Sequence, residues 1–211
     1  IDAQDTLSFM TYLLERINLS RDVHFYTNTT MDTLDYSGTG INSGSKVVFA
    51  AYGDKIRTLT NTVPTILNTL EGFDSVHLAM PGVVCITAAA YTNAQDAASL
   101  VNTLNAQVSN ANEALAGTAI IVLCDDASFT AQTLNNYLWV TYTRSNPSHD
   151  IYGIGSFTQN KHWGCTGPLV IDARIKPHHA PVLIKDEAVE KRVDRLFEKG
   201  GSLYSLISTQ V

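Results

Sequence analysis

Two adjacent carboxylates, Asp125 and Asp126, directly follow the apolar run IIVLC, and an arginine, Arg144, stands one helix further on in TRSNPSHD. Acids at the C-terminal end of a strand lie where open α/β sheets bind ligands. Such a pair can hold a metal or move a proton, and an arginine at the same edge can clamp a phosphate or carboxylate through two parallel hydrogen bonds. Each feature has a structural competitor. The side-chain oxygens of Asp125, Asp126 and Ser128 can accept the unpaired amides of a helix's first turn, whose positive dipole end also favours carboxylates. Capping is the favoured reading of the aspartates. Arg144 can equally pair with Asp150 or satisfy the last carbonyls of its own helix.

The remaining reactive side chains do not assemble a catalytic set. His178 and His179 are adjacent, so in extended chain they point to opposite faces and cannot share one metal. His162 and Cys165 lack two further ligands nearby, and no metal site is expected. There is no Gly-x-Ser-x-Gly turn for a serine nucleophile. Cys124 precedes two carboxylates, whose charge disfavours a thiolate. Gly38, Gly40 and Gly44 suggest a phosphate cradle, but the Lys-Ser or Lys-Thr that completes one is absent.

The elements that position these residues follow from hydropathy. Residues 118–124 are apolar on both faces, as suits a strand covered on both sides. Leu134, Leu138 and Thr141 or Tyr142 recur at helical spacing, and Pro147 disfavours helix at Asn146. Upstream, 75–80 and 83–89 are apolar runs separated by the turn dipeptide Pro81-Gly82. Residues 93–115 carry Ala97, Val101, Leu104, Val108, Ala111 and Leu115 on one helical face, so 83–124 reads as a βαβ unit. A helix is expected over 3–17, a short strand at 23–26, a buried strand at 46–52 and a helix after Pro64. Residues 27–45 and 151–166 read as irregular connections, 169–172 as a strand, and Asp186 or Glu187 opens a last helix ending at Gly200-Gly201. The fold class is α/β: a layered sheet of mixed or mostly parallel strands with flanking helices, preceded by a helical and irregular connector. The expected divisions are a connector over 1–45, a domain over 46–200 and a tail over 201–211, docked through Leu203, Tyr204, Leu206 and Ile207.

Composition narrows the function. The 211 residues are 45% hydrophobic and 16% charged, with a formal charge of −6. This disfavours a broad nucleic-acid surface, and no apolar run approaches the roughly 20 residues of a membrane span. Three dispersed cysteines, two within apolar runs, favour a reducing compartment, hence the cytoplasm. The chain begins at Ile1, so a processed terminus or a longer parent protein is expected.

The order IIVLCDDAS, Leu138-Trp139, TRSNPSHD, GPLVIDA and IKDEAVEKRVDRLFEK resembles the C-terminal region of the UbiD-type decarboxylases, the 3-octaprenyl-4-hydroxybenzoate carboxy-lyase family. That family shows a strand ending in aspartates, a helix with a Trp near its end, Thr-Arg-x-x-Pro-x-x-Asp, a small strand with an Asp and a closing helix. The resemblance covers roughly residues 81–200 and marks Asp125, Asp126, Trp139, Arg144, Pro147, Asp150 and Asp172 as its structural motif.

The resemblance implies the last domain of a longer chain, working with a preceding catalytic domain of the same polypeptide and forming a homo-oligomer. Family members decarboxylate aromatic or α,β-unsaturated acids with prenylated flavin mononucleotide. The catalytic Arg and Glu residues and the metal ligands lie in that earlier domain. No catalytic or cofactor-binding residue is therefore expected in this chain, while Ile154 to Phe157 would face substrate, with Phe157 the leading residue. Asn112 stands where some members, and Thr166-Gly167-Pro168 where many members, carry a lysine, which argues against phosphate contact from this domain. The competing expectation is a free-standing α/β module that binds a small anionic ligand near Asp125 and Arg144.

Overall fold

The computed structural model describes residues 2–38, 40–181 and 184–208. It divides into two compact units, 1–179 and 180–211.

The first unit begins with α1 (Thr6–Leu14), capped by Asp5, which accepts the Ser8 amide at 3.1 Å. Strands β1 (Val23–Thr29) and β2 (Gly44–Phe49) pair antiparallel as a separate ribbon. A 3-10 turn at Thr65–Thr69 follows Pro64. Then come β3 (Phe73–Met80), β4 (Val83–Ala88), α2 (Ala94–Val108) and β5 (Ile120–Cys124). Helices α3 (Ala127–Gln132), α4 (Leu134–Thr143) and α5 (Pro147–Asp150) lead to β6 (Ile151–Gly153), β7 (Ser156–Gln159), β8 (His162–Cys165) and β9 (Leu169–Asp172).

The central sheet has the order β3-β4-β5-β9-β6, with β4, β5 and β9 parallel and both edge strands antiparallel. Strand β5 is buried throughout because its alternate residues enter two different cores. Ile120, Val122 and Cys124 face Cys85, Tyr137, Val140 and Ile171, whereas Ile121 and Leu123 face Val84, Ile86, Val101, Leu104 and Val170. The expected βαβ unit is present, and Asn93 caps α2 through the Asp96 amide.

Several elements differ from the sequence reading. Met10, Leu14, Ile17, Leu19 and Val23 belong to the first core, so this N-terminal stretch is packed within the first unit. Residues 46–52 form no buried central strand: β2 is a hairpin strand with Val48 44% exposed. The helix expected after Asp126 is two helices. Thr133 takes extended geometry between them, and its hydroxyl oxygen accepts the Asn136 amide at 3.1 Å. Residues 151–166 hold three strands of three or four residues, too short to show a period. Asn160 and Lys161, both at positive φ (51° and 65°), turn β7 into β8 as a type I′ hairpin does.

The second unit contains α6 (Glu187–Phe197), capped by Asp186 through the amides of Ala188 and Val189, and α7 (Tyr204–Ser208). Residues 209–211 of the expected tail, and the Ile207 side chain, lie outside the described residues. Among the described residues, no helix is long and apolar enough to cross a membrane.

Candidate functional site

The parallel strands β4, β5 and β9 end at one edge, where Asp125, Asp126, Asp172 and Arg174 lie close together. Beyond β5, Asp126 caps α3 by accepting the Phe129 amide at 2.9 Å. Asp125 turns the other way and accepts the Ile175 amide at 2.8 Å, with Arg144 Nη1 at 3.4 Å. Arg144 thus pairs with Asp125 rather than Asp150. Asp126 caps a helix as the capping reading expects, whereas Asp125 caps none and instead clamps the loop at Ile175.

Beyond β9 the alternation of the strand continues through Asp172, Arg174 and Lys176, all buried. Arg174 Nε and Nη2 bind the two oxygens of Asp172 at 2.9 and 2.8 Å, and Nη1 reaches the Ala89 carbonyl at 2.7 Å. Burial pulls the guanidinium pKa down, but the Asp172 carboxylate, with Asp96 and Asp125, outweighs it and the net shift is upward. Lys176 Nζ donates to the carbonyls of Asp172 at 2.9 Å and Arg144 at 3.0 Å, and lies 3.4 Å from Asp150 Oδ1. Asp150 Oδ2 accepts the Asn146 amide at 2.7 Å. Burial raises the Asp150 pKa despite the opposing charge of Lys176. The Tyr91 ring lies 5.4 Å from both Arg174 Cζ and Lys176 Nζ.

Sequence reasoning missed Arg174 and Lys176. A signal was available: three charged residues at alternate positions after an apolar strand share one face, and opposite charges on a buried face must pair.

The other singled-out residues disperse. Pro147 occupies the first turn of α5, where its missing amide leaves no bond unmade. Trp139 is 66% exposed on α4. Ile154 is buried in the second core, while Phe157 is half-buried on β7 opposite Gly164. His178 and His179 do not point apart: residues 177–179 form a turn that brings the rings to 4.6 Å. His179 Nδ1 accepts the Lys176 amide at 3.1 Å. Burial, aided by Lys176 and His178, lowers the His179 pKa to about 4. Among the described residues no three His, Cys, Asp or Glu side chains are grouped to hold a metal.

The strand-end cations also fail to fit a cofactor phosphate. Arg144 and Arg174 are engaged by carboxylates, and Lys176 by carbonyl oxygens and Asp150.

Comparison with known proteins bears on this arrangement. Residues 1–51 match the 3-octaprenyl-4-hydroxybenzoate carboxy-lyase C-terminal domain family, a stretch upstream of the motif residues 125–172. An uncharacterized protein of Chlamydia trachomatis serovar D is 28% identical over 193 residues, covering 92% of this chain and 31% of its own length. A 4-hydroxybenzoate decarboxylase polypeptide of Chlamydia pneumoniae, named as one of that enzyme's subunits, is 27% identical over 183 residues, covering 86% of this chain and 29% of its own. The chain thus spans about a third of the length of these relatives. Among solved structures, the closed form of the Sedimentibacter hydroxybenzoicus vanillic acid decarboxylase is 16% identical, covering 84% of this chain and 46% of that one, with a TM-score of 0.43. The UbiD-class enzyme HmfF from Pelotomaculum thermopropionicum, in complex with prFMN, is 17% identical, covering 60% and 26%, with a TM-score of 0.37. By these matches the chain is similar, over residues 1–51, to the C-terminal domain of the 3-octaprenyl-4-hydroxybenzoate carboxy-lyase family and, over most of its length, to a polypeptide named as a 4-hydroxybenzoate decarboxylase subunit.

Proposed function

We propose that this chain is the non-catalytic C-terminal domain of a prenylated-FMN-dependent decarboxylase of aromatic or α,β-unsaturated acids. In this reading it mediates subunit association and closes over the active site of a preceding catalytic domain. The observation that carries it is the commitment of the strand-end charges to one another. Asp125 holds Ile175 and Arg144, Asp126 caps a helix, and Asp172 and Asp150 engage Arg174 and Lys176. Catalysis needs a group poised to change its bonding with the substrate, and these groups are occupied by internal contacts. The relatives supply the second support, because two thirds of their length lies outside the matched region.

The cofactor and its metal belong, in this proposal, to the preceding domain. Phe157, half-buried on the short β7–β8 hairpin, is the residue offered toward substrate, since Ile154 is enclosed by the core. The exposed Trp139 fits a face that another domain or a second copy covers. Three free, buried cysteines suit a reducing cytoplasm. The competing anion-binding module loses support because Asp125 already pairs with Arg144.

Titration of the chain with prenylated FMN, followed by flavin absorbance, tests this reading. The expected result is an unchanged spectrum; a saturable shift with one flavin per chain would overturn it.

A further inference from the structure

The outward side of α4 carries Asn135, Trp139, Tyr142 and Thr143, which recur at helical spacing, while Tyr137, Val140 and Thr141 are buried on the other side. Trp139 is 66% exposed, Phe129 on α3 49% and Tyr142 42%, although the Tyr142 hydroxyl reaches within 3.4 Å of that of Tyr137. Helix α3 joins this face through Asn136, whose Nδ2 donates to the Phe129 carbonyl at 2.9 Å, one turn before Trp139. No charged residue occurs from Ala127 to Thr143. The face lies wholly within the first unit.

The solvent side of a helix ordinarily carries charged and polar residues. Aromatic rings without charge are instead the composition of the desolvated centre of a protein interface, where Trp and Tyr dominate the binding energy. Charged side chains return at the two ends of the face. Asp126, exposed, borders Phe129 at one end together with His77. Lys46, also exposed, borders Tyr142 at the other. Asp35 lies beside Lys46, with its Oδ1 taken by the amide and hydroxyl of Ser37 at 2.9 and 2.6 Å. A two-fold axis through the face exchanges its ends, so the Asp126 end of one copy meets the Lys46 end of the other. An isologous contact must be self-complementary. An uncharged centre with opposite charges at its ends meets that condition, even between two chains of charge −6.

We infer that the Trp139 face docks on the same face of a second copy of this chain, around a two-fold axis close to Trp139. The inference rests on the association role proposed above and deepens it, assigning this face to a second copy rather than to the preceding domain. The face offers fewer residues than the roughly 20–30 a side of a standard interface, so the dimer forms at micromolar concentration.

Sedimentation velocity of the whole chain, from about 1 to about 200 µM to bracket a micromolar dissociation constant, tests the inference. The mass should rise with concentration from that of one chain toward that of two. Trp139→Glu, at an exposed position, should keep the melting temperature and raise the dimer dissociation constant at least about thirtyfold, as loss of an aromatic anchor implies. Lys46→Glu should raise it about tenfold by setting like charges at the ends. Asn102→Glu, exposed on α2 across the sheet from α4, should leave it unchanged. A chain still monomeric at the highest concentration, a dimer that survives in a folded Trp139→Glu, or one weakened equally by Asn102→Glu would each overturn the inference. Flavin titration tests the lyase reading separately, so the two can fail independently.

Discussion

Arg174 grips both carboxylate oxygens of Asp172 through its Nε–Nη2 edge, at 2.9 and 2.8 Å, with neither side chain more than 1% exposed. A pair so completely withdrawn from water has already borne its desolvation cost and depends on both partners. Arg174→Met would leave a buried carboxylate unpaired and should destabilise the first unit by about 3–5 kcal/mol in chemical denaturation. The double variant Asp172→Leu/Arg174→Met should recover much of that loss, because two apolar side chains replace two desolvated charges.

The packing of the N-terminal stretch against the β7–β8 hairpin yields a second expectation. A Cβ at Gly164 would lie 2.6 Å from the Ser20 carbonyl oxygen, and the Cys165 amide donates to the Leu19 carbonyl at 3.1 Å. Backbone cannot yield as a side-chain tip does. Gly164→Ala should therefore cost about 1–3 kcal/mol of unfolding free energy, whereas Gly40→Ala, with open space around its Cβ, should be close to neutral.

His179 gives the stability a pH dependence of defined sign. Burial, Lys176 and His178 lower its folded pKa to about 4 from the ordinary 6.5. Between those values the unfolded chain binds the proton and the folded chain does not. Stability is thus fully present above pH 6.5 and is lost as pH falls toward 4. Asp150, raised by burial, acts in the opposite sense, so the test is differential. The melting temperature of the protein minus that of His179→Asn, measured from pH 7 to 4.5, should decline steadily with acidification. A flat difference would show that the imidazole titrates normally.

The thiols should be inert in the folded chain. Cys85, Cys124 and Cys165 are at most 1% exposed. The neighbouring Cys124 thiol, together with burial, pushes the Cys85 pKa up, and burial pushes that of Cys165 to about 12; the Cys85 thiol lowers that of Cys124, whose protection rests on its burial alone. Iodoacetamide at pH 8 should label none of the three natively and all three in denaturant, read by intact mass.

What the sequence disclosed depended on how far each signal extended along the chain. The apolar faces of β5 and α2 and the helix starts at Asp126 and Asp186 are local signals and stand where expected, although α2 stops at Val108, short of the expected Leu115. Strands β6, β7 and β8 were illegible because three or four residues carry no period, and their pairing depends on β9 and on a two-residue turn. The break at Thr133 was hidden because the apolar spacing of α4 survives across it. At the site, the Asp and Arg of the strand end were visible, but their partners were not. Arg144 reaches back across 19 residues to Asp125 and Lys176 reaches from beyond β9 to Asp150. Only the sheet order β5-β9-β6 makes those pairs neighbours.

The measurement closest to the central claim is carbon dioxide release by this chain supplied with prenylated FMN, a divalent metal and an aromatic or α,β-unsaturated acid. The scaffold reading predicts release no greater than in the protein-free blank, across substrates. Sustained turnover proportional to the concentration of this chain would contradict it.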